Sequence, residues 1–300
     1  MSTMFGLFEK QLRQSGVSER TISNYISSWN KFEKWMNQSD PELKDAGEAT
    51  QKDISDYKRY MLLSGGKGGQ PAKPSSMQLT FVHLNKIFRF FAEQGLIPDN
   101  PVGPIKKPPA ARRSPKWLSR NEQNAFLREV RGQNSKRDYA IVLLMLRAGL
   151  RVHELCDLLK SEVTMSARAG SVYVRGKGDK DRVVPLASEV RSALQSYSEE
   201  RDDESPYIFV SQRSKKLSVR GVQHMVENYR KRTGFDHLTC HALRHTFGHD
   251  LISAGNDLQQ VAMLMGHYKE DGTPNIQMTM IYTTPGMEDL TTAVESISWT

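Results

Sequence analysis

His241-Ala242-Leu243-Arg244-His245 sets a histidine and an arginine three residues apart, so both can face one cleft from a single helix. A guanidinium can hold two non-bridging oxygens of a phosphodiester in a fork, and it stays charged at any working pH. A histidine beside it can give or take a proton near neutrality. Alone the pair is a weak signal, but other residues could join it. Arg151 follows the tight turn Ala148-Gly149-Leu150 and opens a helix, and Lys177 stands in the glycine-bearing turn Gly176-Lys177-Gly178-Asp179-Lys180. His267 ends Leu264-Met265-Gly266-His267, and Tyr282 lies in Met278-Thr279-Met280-Ile281-Tyr282-Thr283. A tyrosine hydroxyl, with a pKa of about 10, is a poor nucleophile until a base or a positive field helps it.

His237, His241, His245 and His249 recur every fourth residue, and histidines at that spacing can share a zinc ion. Against this, the chain has no HExxH; His153-Glu154-Leu155-Cys156 is a near miss. The helix is expected to begin near Cys240, leaving His237 outside it. No metal site and no cofactor are therefore expected. Each residue also has a plain reading: Arg151 as a helix-flanking residue, Lys177 as a surface turn residue with Lys180 as its rival, Tyr282 as a half-buried aromatic.

The elements that must position these groups can be read from periodicity. In the first hundred residues, helices are expected over 19–37, 52–63 and 75–94, the first with Ser18 as N-cap. Farther on, helices are expected over 121–130, 137–148, 188–200, 218–233, 241–254 and 257–266. Val172 and Val174, the glycine-bearing turn, then Val183-Val184-Pro185 read as two antiparallel strands. The expected fold is mainly α with a small antiparallel β-sheet: a helical domain over 1–103, a linker over 104–116 and a mixed α/β domain over 117–300.

The linker is distinctive. Between Pro104 and Arg120 lie six basic residues, among them Lys106, Lys107, Arg112, Arg113 and Lys116, four prolines and no acidic residue. Proline forbids a continuous helix there and favours an extended path, suited to lying along phosphates. The whole chain of 300 residues carries a formal charge of +8, and its mean hydropathy is −0.57. No apolar run approaches a membrane span, no charged-then-apolar leader opens the chain, and two cysteines cannot frame a disulfide scaffold. A cytoplasmic location without membrane attachment is expected.

The motifs, in this order and with these gaps, resemble the tyrosine recombinases, also called the phage integrase family. The resemblance covers about 117–290 and extends more weakly to a helical core-binding domain before it. It implies Arg151 and Arg244 as catalytic arginines, Lys177 as general acid, His241 as proton acceptor, His267 as a phosphate contact and Tyr282 as nucleophile, with Glu154 and His245 in support. It further implies site-specific recombination through a 3′-phosphotyrosyl intermediate, without metal or ATP, in integration, excision or resolution of DNA, including that of mobile elements. The partners implied are double-stranded DNA with short, inverted-repeat sites and further copies of the chain, a dimer on one site and a tetramer in synapsis. A type IB topoisomerase-like enzyme and a non-catalytic DNA-binding regulator are the alternatives.

One departure stands out. Relatives often place the tyrosine about nine residues after the last histidine, whereas here His267 and Tyr282 are 15 apart. The surplus falls in 268–275, where Gly272, Pro274 and Asn275 mark a loop. It leaves open which subunit's site Tyr282 enters, and makes Tyr268 a rival nucleophile. The apolar positions Leu290, Val294, Ile297 and Trp299 suggest a tail helix that docks on a neighbouring copy or on its own domain.

Overall fold

The computed structural model describes residues 3–43, 45–106, 116–176, 180–212, 214–283, 290–291 and 294–297. The chain divides into two compact units, Met1–Arg113 and Ser114–Thr300. Lys177, Lys107, Arg112, Arg113 and Trp299 lie outside the described residues.

Among its described residues, the first unit has four α-helices: α1 (Thr3–Gln14), α2 (Glu19–Ser39), α3 (Gln51–Leu63) and α4 (Pro74–Glu93). Ser18 caps α2 by accepting the Thr21 amide, and Thr50 with Asp53 forms a capping box on α3. Pro74 starts α4, where its missing N–H costs nothing. α1 was not among the expected helices; it buries Phe5, Phe8 and Leu12, spaced three and four apart. Trp29 is wholly buried at the centre, with Phe5 stacked on it at 5.1 Å and Phe91 edge-on at 5.8 Å. Lys106 is exposed, and its carbonyl accepts a hydrogen bond from Lys58 Nζ at 2.7 Å.

The second unit is built around α6 (Lys136–Arg147), in which every residue from Ala140 to Leu146 is fully buried. A helix apolar on all sides must be covered on all sides. α5 (Arg120–Gly132), α8 (Ser188–Glu199) and α10 (Cys240–Ser253) pack on it. α7 (Val152–Asp157) and α9 (Val219–Thr233) pack on each other, and α11 (Leu258–Met265) leads to a short α12 (Ile276–Thr279). Among the described residues the sheet has three antiparallel strands in the order β1 (Val163–Met165), β2 (Gly170–Val174), β3 (Arg182–Pro185). Val172 pairs with Val184 and Val174 with Arg182. Two strands were expected; β1 is the addition, too short and exposed to show an alternating pattern. Lys116 is exposed just ahead of α5.

Candidate active site

Arg151 reaches the site because the chain turns sharply after α6. Gly149 has φ +63°, a conformation that favours glycine, and a Cβ there would meet the Phe247 ring at 2.2 Å. Arg151 is the N-cap of α7; its amide donates to Glu154 Oε2 at 2.7 Å and its Nη1 to Glu154 Oε1 at 2.9 Å. Its Nη2 reaches the carbonyl of Gly266 at 3.2 Å, yet the side chain keeps 30% exposure, so it still meets the cleft. Arg244, on the buried side of α10, donates to the carbonyls of Gly149 and Met265. Burial, and after it the charge of Arg151, lowers its pKa to about 9, which leaves it a cation at neutral pH.

Beneath the two arginines lies a residue absent from the sequence-based set, Arg182. Its side chain is 3% exposed and grips Glu154 with two 2.8 Å hydrogen bonds, while its Nε donates to the Leu264 carbonyl. Burial would raise the Glu154 pKa, but hydrogen bonds and charge from Arg182, then Arg151, bring it down to about 2. Glu154 is thus an anion that orients Arg151 and lies 3.9 Å from Arg244. The signal for Arg182 was present: it shares the inward face of β3 with Val184, a place where a charge needs a partner.

The Tyr282 ring is 2% exposed, within a small core formed with Phe247, Val261 and Met265. Gly248 of α10 makes room for it; a Cβ there would come within 2.9 Å of the ring. Two histidine rings flank it, His245 at 5.4 Å and His267 at 5.9 Å in a stacked arrangement. His241 is one ring removed, 4.0 Å from His245 and edge-on to it, and lines a cleft of about 470 Å³ together with Arg151 and Arg244. Burial raises the Tyr282 pKa, and Arg244 and Arg151 pull against that rise. The same site holds the histidines neutral. His241 is lowered by desolvation, Arg244 and Arg151. His245 falls to about 4 through burial, His241 and Arg244. His267 falls to about 3 through burial and then the charges of Arg244 and Arg151.

The inserted loop returns to its origin. The Asn275 amide donates to the His267 carbonyl at 2.7 Å, and the Asn275 side chain caps α12 by accepting the Met278 amide. The surplus residues are looped out, and Tyr282 packs against Phe247 and His245 of α10 in the same chain. Tyr268 Oη instead donates to the Met263 carbonyl at 3.4 Å. Lys180 Nζ, the rival to Lys177, donates to the Lys269 carbonyl. His237 lies before α10, 3.4 Å from Glu122, and His249 stacks on Trp117 at 4.2 Å. The four histidines therefore do not converge, and no cluster able to hold a metal occurs among the described residues.

The profile of the phage integrase family matches residues 116–288. The chain is 38% identical over 224 residues to tyrosine recombinase XerA of Thermococcus kodakarensis, covering 73% of this chain and 74% of the relative. It is 30% identical over 277 residues to tyrosine recombinase XerD of Shewanella oneidensis, covering 89% and 87%. A crystal structure of XerA recombinase, 25% identical, superimposes with a TM-score of 0.53 over 99% of both chains. A lambda integrase dimer bound to a COC′ core site, 20% identical, gives a TM-score of 0.73 over 99% of this chain and 78% of that one.

Proposed function

This chain belongs to the phage integrase family and is a tyrosine-type site-specific DNA recombinase, and we propose that Tyr282 is its nucleophile, working on a phosphodiester held by Arg151 and Arg244. The observation that carries this assignment is the convergence of two arginines from separate elements on one cleft, close enough to the buried Tyr282 for both their charges to act on its hydroxyl.

The reaction balances without an external energy source. Tyr282 Oη forms a bond to phosphorus, the bond to the 5′-oxygen breaks, and a 3′-phosphotyrosine and a free 5′-hydroxyl result. Charge developing on the non-bridging oxygens is met by Arg151 and Arg244, held in place beforehand by Glu154 and by backbone carbonyls. The tyrosine proton is taken up at one nitrogen of His245, the ring beside Tyr282, which releases a proton from its other nitrogen to His241, the assigned acceptor. Lys177 protonates the leaving 5′-oxygen. Attack by a 5′-hydroxyl from another strand reverses each step and rejoins DNA. No step in this scheme calls for a metal or cofactor.

The helical first unit is read as a core-binding domain over 1–103, and the basic stretch 104–116, with Lys106, Lys107, Arg112, Arg113 and Lys116, as a linker lying on DNA. The functional assembly is a dimer on each inverted-repeat site and a tetramer in synapsis, acting in the cytoplasm; no helix among the described residues is long and apolar enough to cross a membrane. Covalent trapping tests the assignment. Wild type and Tyr282→Phe are mixed with nicked duplexes from a genomic library and run on a denaturing gel. A protease-sensitive adduct in the wild type alone supports Tyr282; an adduct that survives Tyr282→Phe removes it.

A further inference from the structure

Thr279 is fully buried, and its Oγ1 lies 3.0 Å from His267 Nδ1 and 3.0 Å from the carbonyl of Asn275. A hydroxyl carries one proton, so it donates to one of these partners at a time. If it donates to Asn275, it accepts from His267, and the ring proton sits on Nδ1. If it turns to His267 Nδ1, the ring proton sits on Nε2. Asn275 tolerates the loss, because its carbonyl also receives the Thr279 amide at 3.3 Å.

Which arrangement is favoured depends on the charge in the cleft. The groups facing the ring are Arg244 and His245 of α10, Arg151 at the start of α7, Arg182 of β3 and Tyr282. The three guanidiniums acting on the ring by themselves favour a bare Nε2 lone pair. A phosphate there is an acceptor and favours Nε2–H. We propose that Thr279 is a positioning residue whose hydroxyl turns between Asn275 and His267, letting the neutral imidazole exchange tautomers as a phosphate enters the cleft. The inference rests on the reading that Arg151 and Arg244 cradle that phosphate. The proton count does not change: the ring loses a proton at Nδ1 and gains one at Nε2 by exchange with solvent, and the hydroxyl proton rotates.

The pKa of about 3 for His267, set by burial and the surrounding arginines, agrees with a ring that stays neutral. Its partner fixes the form of a neutral ring. The hydroxyl gives His267 a donor for the phosphate without requiring a second ring proton beside three guanidiniums.

The test is nitrogen-15 correlation spectroscopy of histidine-labelled full-length protein, with and without inorganic phosphate, the His267 signals being identified by their loss in His267→Asn. The expected result is a proton on Nδ1 in the free protein and on Nε2 with phosphate, exchanged in wild type and in Thr279→Ser but not in Thr279→Val. The same tautomer in both states, a doubly protonated ring with phosphate, or exchange persisting in Thr279→Val each overturns the inference. If Thr279→Val does not fold, the wild-type spectra still decide. Absence of any phosphate response at His267 overturns the arginine cradle as well, whereas a response without exchange removes only the role of Thr279.

Discussion

Arg182 and Glu154 meet through two parallel 2.8 Å hydrogen bonds, and each side chain is only 3% exposed. Strand β3 is thereby tied to the carboxylate that orients Arg151. Breaking a buried pair costs about 3–5 kcal/mol, and removing Arg182 should fall at the low end because Glu154 keeps its contacts to Arg151 and, at 3.9 Å, to Arg244. Arg182→Met should lower the denaturant midpoint accordingly and slow cleavage; adding Glu154→Leu should not recover stability, because Arg151 and the buried Arg244 then lose the same carboxylate. Unfolding curves for the two single variants and the double variant check this.

The same pair sets a response to acid. The Glu154 pKa is depressed from 4.5 to about 2, so the stabilisation it reflects is present above about pH 4.5 and is lost as pH falls toward 2. The shift corresponds to about 3 kcal/mol. Unfolding free energies of wild type and Glu154→Gln should converge over that window.

His245 and His267 act earlier on the pH scale. Both are depressed from 6.5, to about 4 and about 3, so the unfolded chain takes up protons that the folded one refuses. Their contribution is complete above about pH 6.5 and declines by about 1.4 kcal/mol per pH unit for each until the folded values are reached. Replacing either with Asn or Gln should flatten stability between pH 6 and pH 4. An unchanged slope contradicts the neutral, buried state.

Gly248→Ala separates stability from activity. Alanine favours a helix interior over glycine by about 1 kcal/mol, yet its Cβ would press on the Tyr282 ring from 2.9 Å. Covalent adduct formation should fall at least tenfold while DNA affinity is unchanged. Arg151→Ala and Arg244→Ala should show a similar split, losing several kcal/mol of transition-state stabilisation in single-turnover cleavage and little binding.

Neutralising Lys106, Lys107, Arg112 and Arg113 should flatten the salt dependence of DNA binding, by about 0.9 in logarithmic slope for each phosphate that the linker ceases to neutralise. A filter-binding series in salt reads this directly, and an unchanged slope takes the linker off the DNA.

Much of this was legible from side-chain spacing. α2 announces itself through apolar periodicity and its Ser18 cap, α4 through apolar periodicity, and Gly149 marked the turn that delivers Arg151. Arg182 escaped because a basic residue in a basic hairpin resembles surface decoration; only its alternation with Val184 reveals that it points inward. α1 escaped because Gly6, a poor helix former, and the exposed Leu7 interrupt the pattern of its three buried anchors. The loop after His267 could be recognised from its glycine and proline, but not its closure, since a hydrogen bond between Asn275 and the His267 carbonyl leaves no trace in composition. His245 was read as a supporting residue, yet its ring lies against Tyr282 and separates His241 from it, a relation that depends on how α10 faces the tyrosine turn.

That closure uncouples length from geometry. With its two ends fastened together at the base, the tip 270–273 can be lengthened or replaced without altering the path from Asn275 to Tyr282 or the contact of Lys180 with the Lys269 carbonyl. It is a natural graft point, where a reporter peptide or a recognition module could be added to the enzyme while the reacting atoms keep their places.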